Sequence, residues 1–201
     1  MAAARARHHD DTAPKAERRV VRAVGFVPVE AKLHLPEADD TLVVRGDLID
    51  RLLEADHANV VLITAPPGYG KTVVGRQWAA ADPRPFAWLA LDSADNDPIV
   101  LLTYLMLALQ RVEPVDAGIL AQLAEDGDDL GHVALPRLGR MLRNRKQPFV
   151  LLMDETDALH APAALAVIDT IASHMPAGSQ LALLGRSAPP FDWSTLRSSA
   201  S

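Results

Sequence analysis

The chain has no cysteine. That excludes disulfides and thiolate metal sites, and it fits a reducing compartment, so a cytoplasmic location is expected. Long apolar runs are lacking too. The longest, Ile99 to Leu109, is broken by Thr103 and falls short of the roughly 20 residues a membrane helix needs. No apolar h-region follows Arg5 and Arg7, so a secretory signal is not expected either. Positive charge is in deficit: 20 Lys and Arg against 26 Asp and Glu give a net charge of −6. Such a surface is not built to hold a nucleic-acid backbone, and no direct nucleic-acid partner is expected.

What is present is enough apolar material for one core, 49% of 201 residues. It is organised around Asn59-Val60-Val61-Leu62-Ile63-Thr64-Ala65-Pro66-Pro67-Gly68-Tyr69-Gly70-Lys71-Thr72, a β-type run that breaks into a glycine-rich turn ending in Lys-Thr. A phosphate-binding loop needs these residue types. Glycines let the backbone turn its N–H groups inward, and the helix that starts there turns its positive end to phosphate. Lys71 is placed to reach the β- and γ-phosphates, and the Thr72 hydroxyl to sit on Mg²⁺. The general pattern G-x-x-x-x-G-K-[ST] has Gly where this chain has Ala65.

In chain order, residues 1–24 mix Ala, Arg, His, Asp, Thr and Pro without apolar periodicity and are expected to be a disordered tail. His8 and His9 have no third ligand beside them, and Arg18, Arg19 and Arg22 read as a solvated arm. Gly25 to Pro36 is expected to be extended. Val43 to Ala55 reads as a short strand or turn and then a helix over Asp47 to Glu54. Pro85 to Leu91 is a second strand, apolar enough to be covered on both faces. The acidic cluster Asp92 to Asp97 lacks the glycine and distal Glu of a Ca²⁺ loop, so Asp97 is expected to cap a helix with Pro98 in its first position. That helix, Ile99 to about Val112, is apolar almost all round, which makes Tyr104 and the strand residue Trp88 core residues. A short helix over Ala117 to Ala124 and an acidic turn, Glu125 to Asp129, follow. Val133 to Arg145 is a helix; its Arg137, Arg140, Arg143, Arg145 and Lys146 could include a phosphate-contacting arginine, but they also suit a helix C-terminus, which is the plainer reading.

The second chemical landmark is Phe149-Val150-Leu151-Leu152-Met153-Asp154-Glu155, a hydrophobic strand ending in Asp-Glu. Asp154 would hold Mg²⁺, and Glu155 would orient and deprotonate an attacking water. Asp157 and His160 follow on the loop or next helix; either could touch the site, and surface positions are expected. A helix from about Pro162 to His174 leads to a fourth strand, Gln180 to Leu184, ending in Gly185-Arg186-Ser187. Arg186 falls where ligands bind in parallel α/β sheets, at the carboxyl end of a strand, and is a candidate γ-phosphate sensor.

The set Lys32-Leu33-His34, Val44-Arg45-Gly46, Ala65 to Thr72, Trp78, Trp88 to Asp92, Asp95-Asn96-Asp97-Pro98, Asp154-Glu155 and Gly185 to Pro190 resembles the N-terminal ATPase domain of MalT-like, large ATP-binding LuxR-family transcriptional regulators. These are STAND-class P-loop NTPases. The resemblance runs from about Ala31 to Arg197 and accounts for Ala65, because the family's loop opens on Ala-Pro. It implies that Arg45 packs near adenine and that Arg186 is the sensor-1 arginine. The implied nucleotide-binding set is Arg45, Pro67, Gly68, Tyr69, Gly70, Lys71, Thr72 and Val73; Lys71, Glu155 and Arg186 are the catalytic set, and Thr72 and Asp154 hold the metal. Two departures stand out: Val73 replaces a second Thr, and Glu155-Thr156-Asp157 replaces the family's Asp-Tyr-His.

The expected architecture is therefore α/β, a P-loop NTPase three-layer sandwich over 25–197 with a mostly parallel sheet, truncated before its last strand, and a short tail at 198–201. A strand that normally flanks Val60 to Thr64 comes later in such chains, so this strand is expected at an exposed edge, with self-association as the consequence. The expected function is an ATP- or ADP-binding, Mg²⁺-dependent, slowly hydrolysing switch that regulates transcription through C-terminal sensor and DNA-binding domains. Two alternatives stay open: a non-hydrolysing nucleotide-binding interaction module, and a small P-loop metabolite kinase.

Overall fold

The structure, a computed structural model, describes residues 28–35, 43–115 and 130–188. Four strands, β1 (Val60–Thr64), β2 (Phe86–Ala90), β3 (Val150–Asp154) and β4 (Gln180–Gly185), make one sheet in the order β1-β4-β3-β2. Every pairing among them is parallel, with Val60 beside Leu181, Leu151 beside Leu181 and Phe86 beside Val150. Among the described residues five α-helices cover it: α1 (Gly46–Glu54), α2 (Lys71–Ala81), α3 (Pro98–Gln110), α4 (Leu135–Arg143) and α5 (Pro162–Ser173). This is the expected three-layer α/β sandwich, and its sheet is parallel throughout.

Alternation along the strands divides the core in two. Ala87, Leu89, Leu151, Met153, Leu181 and Leu183 face one layer, where Leu101, Leu105, Leu109, Leu138, Val167 and Ile171 of α3, α4 and α5 pack. Trp88, Val150, Leu152, Ala182 and Leu184 face the other, against Ile49 and Leu52 of α1 and Val74 and Trp78 of α2. The near-continuous apolar strands follow from that double cover. Gly75 lets α2 lie close to the sheet, since a Cβ there would come within 2.9 Å of Leu152 and 3.2 Å of Leu184.

Local chemistry sets the element ends. Asp97 caps α3, its Oδ1 accepting from the Ile99 N–H at 2.8 Å, and Pro98 occupies the first helical turn. Residues Leu101 to Leu109 are all buried, as the absence of a polar face requires. At the opposite end of the sheet Asp82 accepts from Trp78 Nε1 (3.0 Å) and from Arg84, which also reaches Gln180 at 2.6 Å. Gln180 donates in turn to the carbonyls of Ala55 and Ala58, so one polar cluster joins α1, α2 and β4.

Several expectations are corrected. Within Gly25 to Pro36, Glu30–Leu33 is a 3-10 turn and not extended chain, because Lys32 is drawn down onto Asp92 and Asp95. Val43 to Arg45 is irregular and forms no strand. The Val133–Arg145 helix begins earlier, as a π-turn over Leu130–Ala134, before α4. Arg145 is no free end-of-helix cation: its side chain is 4% exposed, donates to the Glu113 carbonyl and lies 3.6 Å from the Glu113 carboxylate. The 1–24 tail, the helix at 117–124, the turn at 125–129 and the 198–201 tail lie outside the described residues.

Among the described residues β1 has a neighbour on one side only, β4, and Leu62 is 38% exposed. No helix among them is long and apolar enough to cross a membrane.

Candidate functional site

All four strands run the same way, so the segments leaving their carboxyl ends gather on one rim. The loop after β1 is still part of the sheet at Ala65, whose N–H donates to the Gly185 carbonyl at 3.2 Å. That extended pairing asks for no positive φ, which is why alanine is accommodated where the general loop pattern has glycine. The left-handed residues come later: Gly68 at φ 80° and Gly70 at φ 77°. Gly70 is the N-cap of α2, and no side chain caps the helix there, so the first N–H groups of α2 face the loop.

Lys71 is only 8% exposed. Its Nζ donates to the carbonyls of Ala65 (2.9 Å) and Pro66 (3.4 Å), and among the described residues it meets no carboxylate. Thr72 donates its hydroxyl to Asp154 Oδ2 at 2.5 Å, tying the start of α2 to the end of β3. Asp154 is 3% exposed and its Oδ1 accepts from the Glu155 N–H at 2.9 Å.

Glu155 is the one non-glycine residue with positive φ among the described residues, at φ 59° and ψ 40°. The left-handed backbone lifts its side chain off the end of β3 towards the loop. Pro67, Gly68, Gly70, Lys71, Thr72, Glu155 and Arg186 line one pocket of about 250 Å³. Seven residues expected to act together are thus brought together, from the ends of three strands, with Asp154 reached through Thr72.

Three residues expected at the nucleotide do not line that pocket. Arg45 donates from Nη2 to the Tyr69 carbonyl at 3.2 Å, and its own N–H reaches Gln77 Oε1 at 3.0 Å. It latches the outer wall of the loop to α2. Tyr69 itself is 61% exposed, and Val73 is half-buried on α2. None of the arginines of α4 lines the pocket.

The structure also shows contributors that the sequence left open or did not mark. Asp157 stands at the surface as expected, yet its side chain is 22% exposed and turned towards β4. Its Oδ1 accepts from the N–H groups of Arg186 (2.5 Å) and Ser187 (3.3 Å), and its Oδ2 lies 3.5 Å from Arg186 Nε. Thr156 donates its hydroxyl to the Leu184 carbonyl at 3.0 Å. Asn96 holds the other side of this turn, donating to the Ala158 carbonyl at 2.7 Å and accepting from the N–H groups of His160 and Ala161. The Asp-Asn-Asp-Pro run is the signal that could have found Asn96, since one amide with four backbone partners, the Ser93 carbonyl among them, needs a residue of that shape.

Asn96 is itself held by an acidic turn. Asp92 and Asp95 cap each other's backbone, and Lys32 Nζ lies 2.5 Å from Asp95 Oδ2, 3.2 Å from Asp92 Oδ2 and 4.3 Å from the centre of the Tyr104 ring. Burial pushes the Asp95 carboxyl above its ordinary value and outweighs the Lys32 hydrogen bond. Asp92 shifts the other way: its smaller burial cost yields to the N–H of Ala94 and to Lys32.

Among the described residues no three His, Asp or Glu side chains stand together as a metal cage. Thr72 and Asp154 still suit Mg²⁺, which takes one or two protein oxygens and completes its shell with water and phosphate.

The chain is 26% identical over 170 residues to the HTH-type transcriptional regulator MalT of Vibrio cholerae serotype O1. The match covers 84% of this chain and 19% of that protein, so the chain spans about a fifth of the relative's length. No family model matches. The chain is thereby a distant relative of MalT-type regulators.

Proposed function

We propose that this chain is a nucleotide switch, binding ATP or ADP with Mg²⁺ in the pocket between α2, Glu155 and Arg186 and hydrolysing ATP slowly. The observation that carries this is the Lys71 ammonium. A buried charge is ordinarily neutralised, because desolvation without a partner is costly. Here two carbonyls are its only partners among the described residues, at the rim of a glycine turn whose helix N–H groups also lack a side-chain partner. Both features call for an anion, and phosphate satisfies both.

A pocket of about 250 Å³ suits a phosphate tail and leaves a nucleoside outside it. In this reading Gly68 and Gly70 shape the cradle, Lys71 and the α2 N-terminus hold β- and γ-phosphate, and Arg186 faces the terminal phosphate from β4. Glu155 takes the proton of an attacking water, which favours hydrolysis over transfer to a metabolite. Thr72 and Asp154 hold Mg²⁺, which when bound offsets phosphate charge. Arg45 acts on the loop wall, and Tyr69 and Val73 stand beside the nucleoside.

The domain is taken as 25–197, cytoplasmic, and part of a larger regulator whose sensor and DNA-binding domains read the bound state. γ-Phosphate contacts would favour one domain arrangement, and hydrolysis would release it. Relationship to a transcriptional regulator supports this placement.

Denaturing the purified protein and identifying the released nucleotide tests the reading, with Lys71→Ala as control. ATP or ADP from the parent and none from the variant is expected. If the parent carries none and titrates with neither, the reading fails. A Glu155→Gln variant that binds ATP as tightly as a parent that itself shows no turnover would leave a binding module in place of a hydrolase.

A further inference from the structure

Arg186 is the least restrained cation at the pocket. Its side chain is 63% exposed, and its guanidinium has one partner among the described residues, Asp157 Oδ2 at 3.5 Å from Nε. That separation is too long for a hydrogen bond and short enough for electrostatic hold. The same carboxylate grips the backbone more firmly: Oδ1 accepts from the N–H groups of both Arg186 and Ser187. One side chain therefore does two separable things. One oxygen fixes where the chain leaves β4, and the other offers the guanidinium an anion other than phosphate.

Asp157 can do this because its own position is fixed. It lies on the 3-10 turn Thr156–Ala158, which Thr156 ties to the Leu184 carbonyl and Asn96 ties to the carbonyl of Ala158. Gly185 completes the arrangement, since a Cβ there would come within 3.0 Å of Asp157 Oδ1 and would run into the Thr156 hydroxyl. The carboxylate is held, while the guanidinium ends a long, largely exposed side chain with no hydrogen bond to it.

We infer that Asp157 is a specificity-setting positioning residue, which holds Arg186 in an idle state by charge and so tunes the preference of the pocket for nucleoside triphosphate over diphosphate. The inference rests on the nucleotide reading of the pocket given above. With a diphosphate bound, nothing at the γ position draws the guanidinium away from Asp157. With a triphosphate bound, the γ-phosphate competes for it and must first separate the pair. Since a ligand shifts such an equilibrium only by its differential affinity, the strength of the Arg186–Asp157 pair comes directly off the triphosphate affinity and leaves the diphosphate affinity alone.

The test is a double-mutant cycle read by nucleotide affinity. Affinities for Mg²⁺-ADP and for a non-hydrolysable ATP analogue are measured on the parent, Asp157→Asn, Arg186→Ala and the double variant. Asparagine keeps an oxygen for the two N–H groups and removes the charge. Asp157→Asn is expected to tighten the analogue by about two- to five-fold, the range of a partly exposed ion pair, with ADP unchanged. In the Arg186→Ala background the same substitution is expected to change neither affinity.

A merely structural Asp157 would move both nucleotides together or act equally without Arg186, and either result overturns the inference while leaving the nucleotide site intact. Weaker analogue binding in Asp157→Asn overturns it as well. A parent that binds neither nucleotide removes the inference together with the reading beneath it. Should Asp157→Asn melt well below the parent, Asp157→Ser repeats the comparison with another short oxygen acceptor, and the same outcomes decide.

Discussion

Replacing Glu155 by Asn is expected to make the protein more stable and inactive at once. Glu155 sits at φ 59° and ψ 40°, a conformation that costs an L-residue roughly 1–2 kcal/mol and that asparagine tolerates better. Its side chain is exposed and no hydrogen bond to its carboxylate is found among the described residues, so removing it sacrifices no contact; the bond from its N–H to Asp154 belongs to the backbone and survives. Asparagine recovers part of the strain, about 0.5–1 kcal/mol. Glycine relieves more but frees the unfolded chain by about 0.5–1 kcal/mol, which brings it to a similar net gain. For a chain of this size 1 kcal/mol moves Tm by about 2–4 °C, so both variants should melt roughly 1–4 °C above the parent. Glu155→Gln, which keeps the strain and loses the charge, should melt with the parent. The assay is thermal unfolding without nucleotide, paired with single-turnover ATP hydrolysis, in which all three variants should be inactive. A lower Tm for both Asn and Gly would show that the left-handed backbone stores no strain, and the reasoning would fail.

Lys71→Met should abolish nucleotide binding and leave Tm without ligand equal to or above that of the parent, because the buried ammonium has no carboxylate partner among the described residues; equilibrium titration and calorimetry check this, and a fall in Tm of more than a few degrees would contradict it. Asp82→Ala should cost about 3 kcal/mol by denaturant titration, since it strands Arg84 and Trp78 Nε1 around a buried site. Burial raises the Asp82 carboxyl, but the hydrogen bonds and charge of Arg84 and the Trp78 bond hold it below its ordinary value. A depressed folded pKa contributes stability above the unfolded value and loses it as pH falls through the folded one; the parent should therefore lose stability more steeply than Asp82→Ala below about pH 4 in acid titrations. Leu62→Lys, on the open side of β1, should reduce any concentration-dependent association seen by sedimentation without lowering Tm by more than about 2 °C. Equal association in parent and variant would remove the β1 edge from consideration.

The strands were legible because doubly covered strands are apolar at nearly every position, as in Val150–Asp154 and Gln180–Gly185. The Asp97 cap and its proline were legible for a similar reason, since both act on neighbours in sequence. Lys32 was not: its turn is held by partners far along the chain, Asp92 and Asp95 at the end of β2 and Arg111 after α3. Nor was Arg45 legible as a latch on the Tyr69 carbonyl, or Arg145 as a buried partner of Glu113.

By itself the sequence determined which residues are candidates for a phosphate site, because glycine conformations, a lysine after the turn and an acid at a strand end are local properties. Which of them share one pocket was decided by the parallel order β1-β4-β3-β2, which sets the ends of β1, β3 and β4 side by side. The tertiary structure alone also decided that Asp157 faces Arg186. That meeting depends on the register of β3 against β4 and on a left-handed Glu155, and neither leaves a period or spacing in the chain.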